Sequence, residues 1–304
     1  MATTVNITTT YAGKFESDQI LLAALKEAIT LQNGGISVRE GIKKSWTISR
    51  LTSSGLIADR TCDFTDVGTV TLSERVLTPK DLEVNLKLCK DGFRATQFAE
   101  GMGSGRNNEQ LANAVRSAML SEIGAQIAQA TETTIWHGDK ANAGEFDGLI
   151  TRATGDASVI DVVGTTVTAA NVVAEIGKVY AAIPDAILAK PDLNIYVAPN
   201  VYRAWQQAIG ANHYKDESVV GMKPLNYLGV NLYPTLGMNS SYMFAAEASN
   251  IWFGTDMMGD FSEAAVKFID QSDKDGSNNV HFVGQWAADT NYGFANQIVL
   301  YTPA

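Results

Sequence analysis

The stretch Asn107–Ile150, NNEQLANAVRSAMLSEIGAQIAQATETTIWHGDKANAGEFDGLI, decides how the rest of the chain is read. It predicts one long helix over 107–137, then a turn through Gly138-Asp139 to Phe146-Asp147-Gly148-Leu149-Ile150. Asn107 is placed to cap the helix, and Gln110 three residues on completes a capping-box pattern. Leu111, Val115, Met119, Ile123 and Ile127 recur every four residues, a single apolar stripe. Glu109, Arg116, Glu122, Gln126 and Glu132 fall on the flanks and far side. No proline interrupts the run, and Gly138 ends it. About 29 helical residues at 1.5 Å each give a rod of roughly 43 Å, more than most globular helices reach. A one-striped helix of that length reads as a spine on which a sheet is laid, not a core helix wrapped on all sides.

The same economy marks the whole chain. Its 304 residues allow one large or two ordinary domains, and 45% hydrophobic against 18% charged residues is enough for a real core. No run of 18 apolar residues predicts a membrane span. The N-terminus lacks the basic and apolar regions of a signal peptide. Cys62 and Cys89 have no metal spacing and read as reduced, packed thiols. Net charge is −10, unevenly spread: residues 39–60 hold Arg39, Lys43, Lys44, Arg50 and Arg60 against Glu40 and Asp59, while 107–304 is strongly acidic. An acidic chain is a poor general ligand for nucleic acid. A basic segment and an acidic remainder suit contact between copies of one chain.

Outward from the helix, residues 1–15 read as an extended polar arm and 18–30 as a short amphipathic helix capped by Ser17. Period-two alternation over 36–76 predicts a long two-stranded arm, too sparse in apolar residues to bury both faces. Leu82, Val84, Leu86 and Leu88 predict a half-buried strand. After Ile150 come a small polar stretch, a helix over 169–183 capped by Thr168, a strand at 193–197, a helix from Pro199 ended by Gly210, and strands at 228–234, 243–245 and 251–254. This alternation predicts a compact α/β lobe. Ala264–Asp270, Val280–Trp286 and Gln297–Tyr301 predict late strands returning to the sheet of the 82–89 strand.

The search for chemistry returns little. His137 sits near a helix C-terminus, where the dipole accounts for it. His213 falls in a loop and His281 along a strand, with no metal-ligand spacing among the three. Ser104 has Met102 and Arg106 where a nucleophile elbow needs glycine two residues before and after it, and its stretch fails the dinucleotide and P-loop patterns. Asp273 and Asp275 resemble a calcium loop, but position twelve is Phe282. Asp139, Glu145 and Asp147 share a glycine-bearing turn and read as solvated charge; a hydrolase using them is the alternative from another class. No catalytic, cofactor or metal residue is assigned.

The order of elements resembles the major capsid proteins of tailed bacteriophages, with the Hong Kong 97-like fold. The arm, the β loop and the long helix carry it, with Trp136-His-Gly-Asp139, Phe146-Asp-Gly148-Leu149-Ile150 and the late Gly259-Asp-Phe261-Ser262. The start, Met1-Ala-Thr-Thr, and Cys62-Asp-Phe-Thr65 to Leu88-Cys89 are similar to capsid proteins of environmental phages. The resemblance implies an α+β fold with an N-terminal arm and short helix over 1–35 and an extended β loop over 36–79. It implies a peripheral domain of 80–150 and 255–304 around the spine helix 107–137, and an axial domain of 151–254. It implies self-assembly through hexamers and pentamers into an icosahedral shell that encloses double-stranded DNA without binding it specifically. Scaffold and portal proteins, and decoration proteins in some relatives, are the implied partners; the virion, built in the host cytoplasm, is the implied location. A separate scaffold, or an earlier removal of one, is expected. Lys43 and Lys44 lie in the loop where some relatives form Lys–Asn links, and no link is predicted. An encapsulin-type compartment shell is the alternative within the fold.

Overall fold

The computed structural model describes residues 29–32, 35–60, 62, 66–93, 102, 113–212, 226–261, 265–268 and 279–304. The expected N-terminal arm, the start and cap of the long helix at Asn107, Ser104, His213 and the Asp273–Asp275 turn lie outside these residues.

Along the chain, α1 (Ile29–Gln32) is the end of the short helix expected there. It is followed by β1 (Ser37–Arg39), β2 (Trp46–Ser54), β3 (Thr69–Leu77) and β4 (Lys80–Cys89). The long helix is α2 (Asn113–His137), and its end falls where Gly138 predicts it. Val115, Ile123 and Ile127 are buried as the stripe requires. The last turns depart from it: Thr131, Glu132, Thr134, Ile135 and Trp136 are all buried, Glu132 included. A single stripe therefore describes the first part of the helix only.

A short helix, α3 (Leu149–Thr154), occupies the start of the stretch read as small and polar. Leu149, Ile150 and Ala153 form its buried side. Next come β5 (Ile160–Gly164) and α4 (Val172–Ala182). The latter starts three residues later than expected. The Asn171 side chain accepts the Thr168 amide at 2.7 Å and donates to the Thr166 carbonyl at 3.1 Å, so residues 165–171 close a turn of their own. After α5 (Asp185–Leu188) and β6 (Leu193–Val197), α6 (Pro199–Asn212) runs through Gly210 instead of stopping there. A glycine inside a helix costs only about 1 kcal/mol. The expected 228–234 strand is a hairpin: Leu228 (φ 45°) and Gly229 (φ 88°) form its two-residue turn between β7 (Asn226–Tyr227) and β8 (Val230–Pro234). The chain finishes with β9 (Met243–Glu247), β10 (Ile251–Thr255), β11 (Ala265–Phe268), β12 (Asn279–Tyr292) and β13 (Val299–Pro303).

These elements divide between two compact units. One comprises 81–131 and 257–287 among the described residues. In it β11 runs antiparallel to the first part of β12, from Ala265 opposite Val283 to Phe268 opposite Val280, and β4 also pairs with β12. The β4 alternation is the expected one, with Leu82 and Leu88 buried and Asp81, Glu83, Lys87 and Cys89 exposed.

The other unit comprises 28–80, 132–256 and 288–304. Its mixed six-stranded sheet has the order β5-β13-β9-β6-β8-β7. Here the late-strand expectation needs correction. β13 does not return to the sheet of β4; it lies between β5, parallel, and β9, antiparallel. Val299, Leu300 and Tyr301 are all fully buried. An unbroken apolar run of this kind suits a central strand covered on both faces. Trp136, Tyr196 and Phe244 pack as an aromatic cluster, with ring centroids 5.2 Å apart for Trp136–Tyr196 and 5.8 Å for Trp136–Phe244.

Candidate functional site

The candidate site of this unit is the antiparallel ribbon formed by β2 and β3. Its register runs from Trp46 opposite Leu77 to Ser54 opposite Thr69. Directly opposed residues share a face and alternate residues change face. One face therefore carries Trp46, Ile48, Arg50, Thr52 and Ser54 with Leu77, Arg75, Ser73, Thr71 and Thr69. The other carries Thr47, Ser49, Leu51 and Ser53 with Val76, Glu74, Leu72 and Val70.

At its root the first face is a packed one. Ile48 and Leu77 form a small core with Ile42, against which Trp46 and Trp252 pack. The two indoles stand 5.2 Å apart, and the Arg39 guanidinium lies 5.3 Å from the Trp46 ring. The second face is open, and it carries Leu51, Val70, Leu72 and Val76 among Thr47, Ser49, Ser53 and Glu74. Leu51 and Leu72 are opposed across the ribbon and are 64% and 73% exposed, and Val70 and Val76 beside them are exposed too. Beyond β2, Leu56 is exposed and Ile57 is 97% exposed. Over the outer half of the ribbon both faces are exposed, and the large apolar side chains lie on one of them. Exposed apolar side chains gathered on one face suit an interaction surface.

Charged and polar tethers hold the root. Arg75 pairs with Asp156 and lies 4.4 Å over the Tyr292 ring, while the Tyr292 hydroxyl donates to Asp156 at 3.1 Å. The Arg75 guanidinium holds the Asp156 carboxyl down to about 2. Arg152 bonds Asp289 at 2.9 Å, and Asp289 accepts the Thr78 amide at 2.8 Å. Burial pushes the Asp289 carboxyl up, and Arg152 opposes that shift. Asn291 donates to the Val76 carbonyl at 2.8 Å, and Arg50 to the Gly293 carbonyl at 2.9 Å. Lys80 Nζ donates to three carbonyls, those of Lys140 (3.1 Å), Asn142 (3.0 Å) and Glu145 (2.7 Å). An ammonium fits such a cage because it is a compact charge with three donors.

The residues singled out from sequence fall as follows. Asp139, Glu145 and Asp147 hold the turn itself: Glu145 accepts the Asp139 amide at 2.9 Å and the Asn142 carboxamide at 3.1 Å, Asp147 the Lys140 amide at 3.0 Å, and Asp139 the Ala141 amide at 2.8 Å. These hydrogen bonds shape the loop. His137 is not a charged partner of the helix dipole. Its Nε2 accepts the Asn239 amide at 2.9 Å, the Tyr242 ring packs edge-on at 5.0 Å, and burial pushes the imidazole down to about 4. His281 lies on β12, and its Nε2 has no hydrogen-bond partner among the described residues. Both cysteines are reduced but exposed, not packed; Cys89 points outward from the alternating β4. Lys43 is 83% exposed and pairs with Asp256 at 2.7 Å, and Lys44 is exposed.

Sequence reasoning missed Glu132, Asp156, Asp289, Arg75 and Arg152. The four around the ribbon root meet only through long-range contacts, so no local spacing announces them. Glu132 offered one signal: it sits among apolar Ile127, Ile135 and Trp136, where a carboxylate without a function in packing is costly.

No protein-family model matches the chain, and no curated protein matches it by sequence. Solved structures do match. The capsid of Myoviridae phage XM1 is 15% identical with a TM-score of 0.62, over 96% of this chain and 97% of that one. The capsid of the empty GTA particle is 14% identical with a TM-score of 0.60, over 97% and 95%. The capsid of cyanophage P-SCSP1u is 12% identical with a TM-score of 0.56, over 97% and 93%. The chain has the α+β fold of these capsid structures, as its element order led us to expect.

Proposed function

We propose that this chain is the major capsid protein of a tailed bacteriophage, and that its copies assemble into the icosahedral shell around double-stranded DNA. The observation that carries this reading is the similarity to capsid structures over nearly the full length of both chains. The open apolar face of the ribbon supports it, because a subunit that leaves such a surface bare is built to be covered.

In this reading the unit with α2 up to Thr131, β4, β11 and the first part of β12 belongs to the peripheral domain, and the six-stranded sheet to the axial domain. The ribbon is the extended loop. Hexamers and pentamers are the building blocks, with scaffold and portal proteins as assembly partners. The role is mechanical. Repeated contacts of modest strength give a stable closed shell while letting misplaced subunits leave during growth. The acidic balance of the chain fits DNA that is contained and not gripped. Among the described residues no helix is long and apolar enough to cross a membrane.

Negative-stain electron microscopy of the concentrated protein, alone and co-expressed with a candidate scaffold, tests the proposal. Closed particles, or uniform six- and five-membered rings, are expected. Dispersed monomers under every condition would overturn it.

A further inference from the structure

We propose that the crevice lined by β2, the β9–β10 turn and the β12–β13 connection is a ligand site for an N-acylated α-amino acid, the chemistry of a peptide C-terminus, with Arg50 receiving the carboxylate and Glu247 the N–H. The site lies within one unit of a single chain and does not rest on the shell reading.

The crevice holds about 320 Å³, at the lower end of the range of small-ligand clefts. Its walls are fixed by the fold. The Asn250 carboxamide donates to the Phe294 carbonyl at 2.9 Å and accepts the Phe294 amide at 2.7 Å, and the Gly293 amide donates to the Asn250 carbonyl at 2.9 Å. Ile48, Trp252 and Phe294 give the crevice an apolar side. Two buried polar atoms of its lining residues have no hydrogen-bond partner among the described residues: Glu247 Oε1 and Arg50 Nε. Glu247 is 4% exposed, and its other oxygen accepts the Lys190 ammonium at 2.9 Å. Arg50 donates Nη1 to the Gly293 carbonyl at 2.9 Å and pairs with no carboxylate among the described residues. A guanidinium with Nε unengaged keeps a side edge that matches the two oxygens of a carboxylate. Polar groups buried without a partner are costly, so a ligand that meets both of them is favoured.

The two needs define one ligand. Arg50 calls for a carboxylate and Glu247 for an N–H. Nearby carboxylate is already committed: Glu247 to Lys190, and Asp192 to the Ser249 hydroxyl at 2.6 Å. Arg50 and Lys190 bring two cations to the crevice, and an ammonium would add a third beside them, so a neutral amide N–H is the better donor. A carboxylate and an amide N–H on the same carbon occur together at the end of a peptide and in a free N-acyl amino acid. The side chain on that carbon has the Ile48, Trp252 and Phe294 side to rest on.

Equilibrium dialysis of radiolabelled N-acetylleucine tests the site on dispersed or assembled protein alike. One saturable site per chain, with millimolar affinity, is expected for so small a ligand. N-acetylleucinamide lacks the carboxylate and isocaproate lacks the N–H. Each is expected to compete at least tenfold more weakly, the size of one hydrogen bond to a charged group. Arg50→Gln is expected to weaken N-acetylleucine by a similar factor, with circular dichroism checking its fold; the comparison of ligands on the wild type decides the matter if that variant does not fold. A longer peptide ending in leucine that competes as well as N-acetylleucine supports the site as one for a polypeptide terminus, and loss of competition on lengthening supports it as one for a free acid. Absence of saturable binding, or equal competition by all three compounds, overturns the proposal. None of these results bears on assembly, which electron microscopy reads separately.

Discussion

Glu132 binds Thr30 twice, accepting its hydroxyl at 2.7 Å and its amide at 3.2 Å. The Thr30 oxygen in turn accepts the Trp136 indole N–H at 3.2 Å. One threonine thereby joins α1 to two successive turns of α2 inside a buried setting. Burial pushes the Glu132 carboxyl up, opposed by Thr30 and by the Gly237 and Leu236 amides. Thr30→Val keeps the shape but removes the hydroxyl from both partners. Leaving a buried carboxylate oxygen and an indole N–H short of a partner is expected to cost about 1–3 kcal/mol each at most. The urea midpoint, compared with wild type, reads the loss; an unchanged midpoint would sink the role assigned to this pair.

The root of the ribbon has a pH signature. Asp156 is held near 2 by Arg75, below its ordinary 3.8. A depressed carboxyl favours the folded state when ionised, so its contribution is present in full above about pH 4 and fades as pH falls towards 2. Asp156→Asn removes that contribution. The difference in melting temperature between wild type and Asp156→Asn is expected to be largest at neutral pH and to shrink on acidification. A difference independent of pH between 7 and 2.5 contradicts the pairing.

His137 gives a second titration with its own window. Its imidazole is pushed down from 6.5 to about 4 by burial. The unfolded chain takes up a proton as pH falls through 6.5 while the folded chain does not, so stability declines from there to about pH 4. NMR of the His137 ring is expected to show a neutral imidazole at pH 5.5. A charged ring at that pH would mean the Asn239 amide is not bound to Nε2.

Gly237 is a packing glycine. A Cβ there would lie 1.9 Å from the Glu132 carbonyl oxygen and 2.9 Å from the Trp136 ring. Backbone cannot yield by that amount without moving the end of α2. Gly237→Ala is expected to be severely destabilising, whereas alanine at Gly210, whose Cβ position is open, is expected to be neutral or slightly stabilising. Thermal unfolding of the two variants side by side checks the contrast.

Local patterns carried most of the architecture. The β2–β3 arm, the alternation of β4, the end of α2 at Gly138 and the β6 strand all follow from periodicity and breakers close in sequence. What escaped depends on distant partners or on backbone angles. Nothing near Glu132 says that Thr30, 102 residues away, will satisfy it. Nothing in Leu228 announces its positive φ, since leucine avoids that region unless the hairpin around it insists. The Ile298–Val299–Leu300 run was legible as strand, but which sheet receives it is settled by β5 and β9 far upstream. The apolar face of the ribbon was partly legible: the alternation is in the sequence, while the face that remains bare emerges only with the register and the packing of the root.

The position of β13 sets a timetable. β5 and β9 lie on either side of it, so the six-stranded sheet stays split until residues 299–303 have been made. During synthesis the ribbon emerges well before the strand that completes this sheet. A growing chain therefore exposes the ribbon before this sheet is complete, and contacts of high sequence separation are slow to close. Arrested chains ending before Ile298 are expected to be cut by protease within 160–250, and chains extending past Pro303 to resist.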